Sequence, residues 1–410
     1  MLSTTSRVLR HTIAWLLVCN AVNGNVQNRL QCKDENNAPV DWYVLYKLPK
    51  TSTSSNPLIR DGYAYLYATN ATIGTGWHLS TRSIAANNSI PGITLAPLYD
   101  QKNEDKSMWT LYNDSPPDTP AVFKYGHTKG VVMVNSEQGF WLIHSVPNFP
   151  AVPEGGEVTR PSKRVNVTIQ GKYNYPESGT FYGQSFLCIS LGSDQFNVLG
   201  EQLMYNEITV YAKNIPESLG ARYPMLTNAI NQKRVKSPPY NRKAVLRSLG
   251  STNFTSFAKG SKWQKDLYAD FVAPQLQTDL YVQSWLNGRG KLPSTCSRRK
   301  IYNVKSLIFD AANIDFTSSR DHSKWAITVT NRTTTHWVCV ADINRADTQY
   351  SRGGGAVCLK QPSLWIDYRN AINDVEPCHS RGQNNTGNEK RASSAKHLVA
   401  DAWKNKPVAA

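Results

Sequence analysis

The sequence predicts a mixed α/β chain, with strands in sheets and helices flanking them, folded as two related lobes. Three observations predict it. Strand-like and helix-like hydrophobic patterns are interspersed along the chain. Its 410 residues exceed what one core usually fills. A short polar motif with its following strand occurs twice, once in each half.

Residues 1–24 read as a secretory signal. Arg7 and Arg10 precede an apolar run from Ile13 to Cys19, and Ala21 and Gly24 offer cleavage points. The run is too short to span a bilayer, and no other stretch reaches about 18 apolar residues. Stable membrane association is therefore not expected. A first lobe is placed at 25–215, a second at 216–378, and a mobile polar tail at 379–410.

Within the first lobe, residues 40–48 put Trp42, Val44 and Tyr46 on one side, the period of a strand. Residues 130–134 and 140–146 flank a polar turn and predict a hairpin, ended by Pro147 and Pro150. Residues 181–191 predict another buried strand. Helices are expected at 202–212, at 263–286 with a kink at Pro274, and at 364–372 behind a Ser363 cap. The polar stretch 228–247, with Pro238 and Pro239, reads as an exposed linker or loop.

Cysteine usage fits an oxidising compartment. Once Cys19 leaves with the signal, Cys32, Cys188, Cys296, Cys339, Cys358 and Cys378 remain, an even set without Cys-x-x-Cys spacing. Three disulfides are expected, and spacing leaves fifteen pairings open. Sequons at Asn70, Asn87, Asn113, Asn166, Asn253, Asn331 and Asn384 agree with the same route.

The net charge of +16 is unevenly placed. Residues 25–215 carry 15 Lys and Arg against 16 Asp and Glu, whereas residues 216–410 carry 29 against 14. Between 222 and 305 the count is 16 against 3. Such concentration suits a polyanion, whose phosphates release counterions when neutralised; a merely solvated basic surface would give the same count.

The repeat carries the chemistry. His127-Thr128-Lys129 opens an apolar strand, and so does His322-Ser323-Lys324. A second strand follows each, with Trp141 or Trp337, and Asn148 or Asn344 lies seven residues further on. Residues i and i+2 of a strand share a face, so each His points with its Lys, and Asp321 points away. Around a pseudo-twofold axis the two pairs meet. One imidazole then attacks phosphorus while the other protonates the leaving oxygen, and two ammonium groups with the two Asn amides hold the non-bridging oxygens. A lone His or Lys in a strand is ordinarily structural; the matched pair favours His127, Lys129, His322 and Lys324 as catalytic. His144 has no counterpart in the second copy; phosphate or substrate binding, support of the site and a purely structural place are all open to it. Gly353, Gly354 and Gly355 read as a loop between two cysteines. No zinc-protease, serine-hydrolase or P-loop motif is present, and the acidic residues show no grouping for two metals. Neither metal nor cofactor is expected.

The chain resembles the deoxyribonuclease II family. The matching segments are Val40-Asp41-Trp42-Tyr43 and Tyr46-Lys47-Leu48-Pro49, Gly126 to Gly130, Gly139 to Pro150, Gly183 to Cys188, Asp321 to Trp325, and Arg352 to Gly355. The resemblance implies a phospholipase-D-like fold whose two lobes form a pseudo-dimeric clamp on double-stranded DNA. It implies metal-free hydrolysis through a phosphohistidine, 3′-phosphate ends, and a secreted or lysosomal enzyme. It also implies the pairs Cys32–Cys188, Cys296–Cys378 and Cys339–Cys358. The wider superfamily places an Asp five residues after the Lys, where this chain has Val134 and Val329. The alternatives are a catalytically silent secreted DNA-binding pseudoenzyme and a lipid phosphodiesterase of the same fold. The intact motifs argue against the first, and the basic 222–305 region favours a long polyanion over the second. A monomer with internal pseudo-symmetry and a homodimer are both compatible with the sequence. Histidine titrates near pH ~6.5 and the mechanism needs one neutral and one protonated ring, so an optimum below neutrality is expected.

Overall fold

Two nine-stranded sheets dominate the computed structural model, which describes residues 29–100, 106–159, 169–296, 298–330 and 335–378. The expected signal and tail, and the sequons at Asn166, Asn331 and Asn384, lie outside these residues. The first sheet draws its strands from Trp42–Lys47 through Val210–Asn214, and the second from Asn241–Arg247 through Ile372–Val375. The described residues up to Cys378 form one compact unit.

Alternation along the strands explains the layering. In the strand Trp42–Lys47, Trp42, Val44 and Tyr46 face a central apolar layer, while Tyr43 and Leu45 face a second layer on the outer side. The central layer is shared: Trp325, Ile327, Val338 and Val340 of the second sheet join it. The opposite face of the second sheet packs Ala326, Cys339 and Ala341 on Phe257, Phe271 and Val282. Burial on both faces accounts for the near-continuous apolar runs. The helix Phe196–Asn206 adds Phe196, Leu199 and Leu203 to the central layer, a helical spacing. Of three disulfides, Cys339–Cys358 joins two paired strands, Cys32–Cys188 ties a flanking segment to a strand within the first half, and Cys296–Cys378 ties flanking segments within the second.

The hairpin forms from Lys129–Val134 and Gln138–His144, and the strand expected at 181–191 runs over Gln184–Gly192. The helices are displaced. The one expected at 202–212 occupies Phe196–Asn206, because Glu207 takes a left-handed conformation and stops it. Val210–Asn214 then enters the sheet. The long helix expected at 263–286 shrinks to a π turn at Tyr268–Val272 and one α turn at Ala273–Leu276, ended by left-handed Gln277; Leu280–Gln283 is a strand. The last helix spans Pro362–Asn370, with Gln361 and not Ser363 at its cap position. The expected linker is partly ordered, since Pro224–Ile230 is helical and Asn241–Arg247 is a strand.

The register also corrects the repeat. Val132 faces Trp141, whereas Ile327, its counterpart, faces Val338. Trp337 is therefore one residue out of step with Trp141. A one-residue slip reverses a side chain's face, which is why Trp141 is buried and Trp337 is half-buried. The residue equivalent to Asp342 is Ser145, and both backbone N–H groups donate to the neighbouring strand in the same way, to Gly355 O and Ser185 O.

Candidate active site

Each His-x-Lys motif enters its strand from the loop before it, with Lys129 opening Lys129–Val134 and Lys324 preceding Trp325–Thr328. The two motifs are anchored reciprocally. The His127 N–H donates to Gly353 O at 2.9 Å, and the His322 N–H donates to Gly183 O at 2.8 Å. Each histidine is thus held by the opposite half of the chain. Glycine is required at both carbonyls: a Cβ on Gly183 would lie 2.4 Å from Asp321 Oδ1, and one on Gly353 would lie 2.6 Å from Asn206 O.

The rings are oriented across the same boundary. His127 Nδ1 lies 2.7 Å from Gln349 Oε1. His322 Nδ1 lies 2.9 Å from Ser145 O and 3.2 Å from Gln184 Oε1. A carbonyl only accepts, so His322 carries its proton on Nδ1 and turns a lone pair on Nε2 to the site. These neutral acceptors fix the orientation of both rings. Two buried lysines brace the loops concerned. Lys47 Nζ donates to Thr180 O at 2.7 Å, and Lys259 Nζ donates to the carbonyls of Gln349, Tyr350 and Arg352 at 2.9, 3.2 and 2.6 Å.

Asp114 organises the first motif. Its carboxylate accepts from Lys129 Nζ, accepts from Arg352 Nη2 at 3.0 Å, and lies 4.0 Å from His127 Nε2. Burial works against ionisation, but Lys129, His127 and Arg352 outweigh it and hold Asp114 well below the usual carboxylate range. In the second motif, Lys324 Nζ sits 3.4 Å from both nitrogens of His322 and donates to its carbonyl at 2.7 Å. Burial, reinforced by Lys129, lowers the Lys324 pKa to about 7. Asp342 is buried beside both lysines and is pushed up to about 7, chiefly by desolvation, although Lys129 and Lys324 oppose this. Both histidines lie well below their ordinary value. Burial is the main cause, with Lys129, Arg352 and Lys324 contributing at His127, and Lys324, Lys129 and His127 contributing at His322. The same couplings place the four side chains within electrostatic reach of one another.

The remaining sequence candidates lie differently. The Asn148 amide donates to Pro116 O at 2.9 Å and accepts from Ser178, which commits it to a loop beside a cleft lined by Pro117, Asp118 and Glu177. Asn344 is buried, and its Oδ1 accepts no hydrogen bond among the described residues. His144 is enclosed by Phe149 and Phe186 and accepts from the Val146 N–H. Asp321 faces away from the site and accepts from Tyr46 and Ser323. Gly354 and Gly355 begin a strand, not a loop. Sequence reading missed Asp114, Gln184, Gln349, Arg352 and Asp342. Gln184 and Arg352 lay within the matching segments Gly183 to Cys188 and Arg352 to Gly355, and Asp342 directly continues the apolar strand Trp337–Ala341; Asp114 and Gln349 had no local signal. Among the described residues, no three His, Cys, Asp or Glu side chains are grouped to hold a metal ion, and no helix is long and apolar enough to cross a membrane.

Comparison with known proteins identifies a family. The family model described as Deoxyribonuclease II matches residues 31–378. Plancitoxin-1 of Acanthaster planci is 35% identical over 378 residues, covering 91% of this chain and 99% of that protein. Deoxyribonuclease-2-alpha of Rattus norvegicus is 36% identical over 354 residues, covering 85% and 95%. Cell death-related nuclease 6 of Caenorhabditis elegans is 32% identical over 358 residues, covering 85% and 89%. Yeast tyrosyl-DNA phosphodiesterase aligns with 57% of this chain and 66% of its own at 9% identity; its TM-score of 0.27 is too low to support a common fold. By family match and by relatives aligned over nearly their whole length, the chain belongs to the deoxyribonuclease II family.

Proposed function

We propose that the chain is an endonuclease hydrolysing phosphodiester bonds of double-stranded DNA without a metal, in acidic vesicles or outside the cell, with the two halves closing on the duplex. The observation that carries this reading is the reciprocal anchoring of His127 and His322 across the two halves, with Lys129 and Lys324 acting electrostatically on both rings. One imidazole nitrogen attacks phosphorus and the P–O5′ bond breaks. The other imidazole delivers its proton to the departing O5′. The strand carrying the 3′ oxygen is left as a phosphohistidine. Water then attacks phosphorus, gives its proton to the second imidazole, and the P–N bond breaks to release a 3′-phosphate. The Lys129 and Lys324 ammonium groups hold the non-bridging oxygens in a water-poor site, where charge stabilisation is strongest. Three disulfides support an oxidising destination.

Mild acid favours the charge states of the proton donor, Lys324 and Asp342, while the attacking ring must stay neutral, so activity should peak below neutrality and fall again in stronger acid. With both histidine pKa values lowered, the second ring gains its proton only below neutrality. Below about 7, Lys324 is charged and Asp342 is neutral. Above it, Asp342 becomes an anion that competes with phosphate for both lysines. The test is plasmid cleavage in excess EDTA at about pH 5, comparing the unaltered protein with His127→Ala and His322→Ala. Cleavage lost in both variants supports the reading. A folded, unaltered protein that binds DNA yet never cuts it across the acid range would leave the silent DNA-binding reading in its place.

A further inference from the structure

The two ends of the site are equivalent in backbone but not in side chains. Asn113 lies opposite Lys129, so Asp114 follows the strand end at the first motif. Gln283 lies opposite Trp325, which puts Ser284 and Trp285 at the corresponding places of the second. The carbonyls that receive the histidine N–H groups belong to Gly353, preceded by Arg352, and Gly183, preceded by Tyr182. Where the first end has the buried Asp114–Arg352 ion pair at 3.0 Å, the second therefore has Trp285 and Tyr182, with ring centroids 4.7 Å apart and planes at 81°. Trp285 also lies 5.2 Å from the His322 ring. Unlike the ion pair, this aromatic pair reaches solvent through Tyr182, with Trp285 half-buried beside it. Tyr182 is 39% exposed and its neighbour Phe181 is 50% exposed. The Lys50 ammonium stands 5.8 Å from the Phe181 ring.

The exposed surfaces of Tyr182 and Phe181 beside a buried polar site are not required for packing, and the half-buried Trp285 links them to the His322 ring. A phosphate held at His322 brings its flanking nucleotide alongside them. Every nucleobase offers a π face, so an aromatic wall with an adjacent cation binds bases without regard to their identity. We propose that Trp285 and Tyr182, flanked by Phe181 and Lys50, form a stacking subsite for one nucleobase next to the scissile phosphate, displaced from its helical stack. The inference rests on the nuclease reading above and deepens it. It makes the His322 end a base-binding end and the His127 end an electrostatic one.

The test is a substrate–protein cycle. A single-stranded oligodeoxynucleotide with one cleavable phosphodiester among methylphosphonates carries either thymidine or an abasic tetrahydrofuran on each side of that bond. The unaltered protein, Trp285→Ala, Trp285→Phe and Tyr182→Ala are compared. Removing the base on one side is expected to lower kcat/KM roughly 5- to 150-fold in the unaltered protein, the span of stacking one base on one aromatic ring. Removal on the other side should have little effect. That penalty should vanish in Trp285→Ala, shrink in Tyr182→Ala and largely persist in Trp285→Phe. An equal penalty in the unaltered protein and Trp285→Ala, or none on either side, overturns the subsite. The same cycle read on Kd by fluorescence anisotropy separates the two ideas. If the unaltered protein cuts neither oligonucleotide, plasmid cleavage decides the nuclease reading and the subsite is judged on binding alone. Should Trp285→Ala not fold, Tyr182→Ala and Trp285→Phe carry the comparison.

Discussion

Replacing Asp114 by asparagine should expose how the first half of the site is held. The side chain keeps its shape but loses the charge that faces Lys129 and Arg352. The side chains of Lys129, Asp114 and Arg352 are 5%, 6% and 8% exposed, so the small value of surface pairs does not apply. Two cations would remain buried around a neutral amide. Breaking a buried pair from one side costs about 3–5 kcal/mol, and Asp114→Asn should approach that range because one carboxylate serves both cations. Urea unfolding followed by tryptophan fluorescence gives the difference, with Glu157→Gln as a control. That carboxylate, 3.4 Å from Lys213 and 70% exposed, should matter by less than about 0.5 kcal/mol. The pH dependence has a definite sign. The folded pKa of Asp114 is depressed, so its contribution is complete above the unfolded value of about 3.9 and is lost as pH falls through the folded value. The gap between the two proteins should be equal at about pH 7 and pH 5, and should close only below about 3.9. A gap under about 1 kcal/mol with unchanged cleavage would refute the view that this carboxylate organises Lys129 and Arg352.

Three further outcomes follow from the same contacts. Gln349→Glu would set a carboxylate 2.7 Å from His127 Nδ1 and favour the protonated ring, so the alkaline limb of the pH–rate profile should move up by about 1–3 units; an unmoved profile would deny Gln349 its role. Lys259→Met strips three carbonyls of their donor and should cost roughly 2–4 kcal/mol, with a fall in kcat because the loop bearing Gln349 and Arg352 loosens; stability falling with kcat intact would confine Lys259 to the fold. Glycopeptide mass spectrometry should find no glycan at Asn113, which is fully buried and donates to Val146 O and Phe149 O, whereas Asn87 and Asn253 are more accessible. A glycan at Asn113 would mean that this strand end folds otherwise.

Much of the fold was legible because strands buried on both faces announce themselves as apolar runs, as at 130–134 and 184–192. Helix limits were not, because they depended on single left-handed residues, Glu207 and Gln277, whose conformation no composition rule identifies. The one-residue slip between Trp141 and Trp337 was likewise invisible, since only inter-strand pairing defines which side chains share a face.

By itself the sequence determined the two His-x-Lys motifs, the even cysteine set and the basic second half, because each is a matter of residue type and short spacing. Tertiary structure alone decided what surrounds those motifs. Gln349 lies 222 residues from His127, Arg352 lies 238 from Asp114, and Gln184 lies 138 from His322. Hydrogen bonds and ion pairs act over a few ångströms of space whatever the distance along the chain, so partners contributed by opposite halves leave no local trace. The difference between an ion pair at one end of the site and an aromatic wall at the other exists only once the two halves are folded against each other.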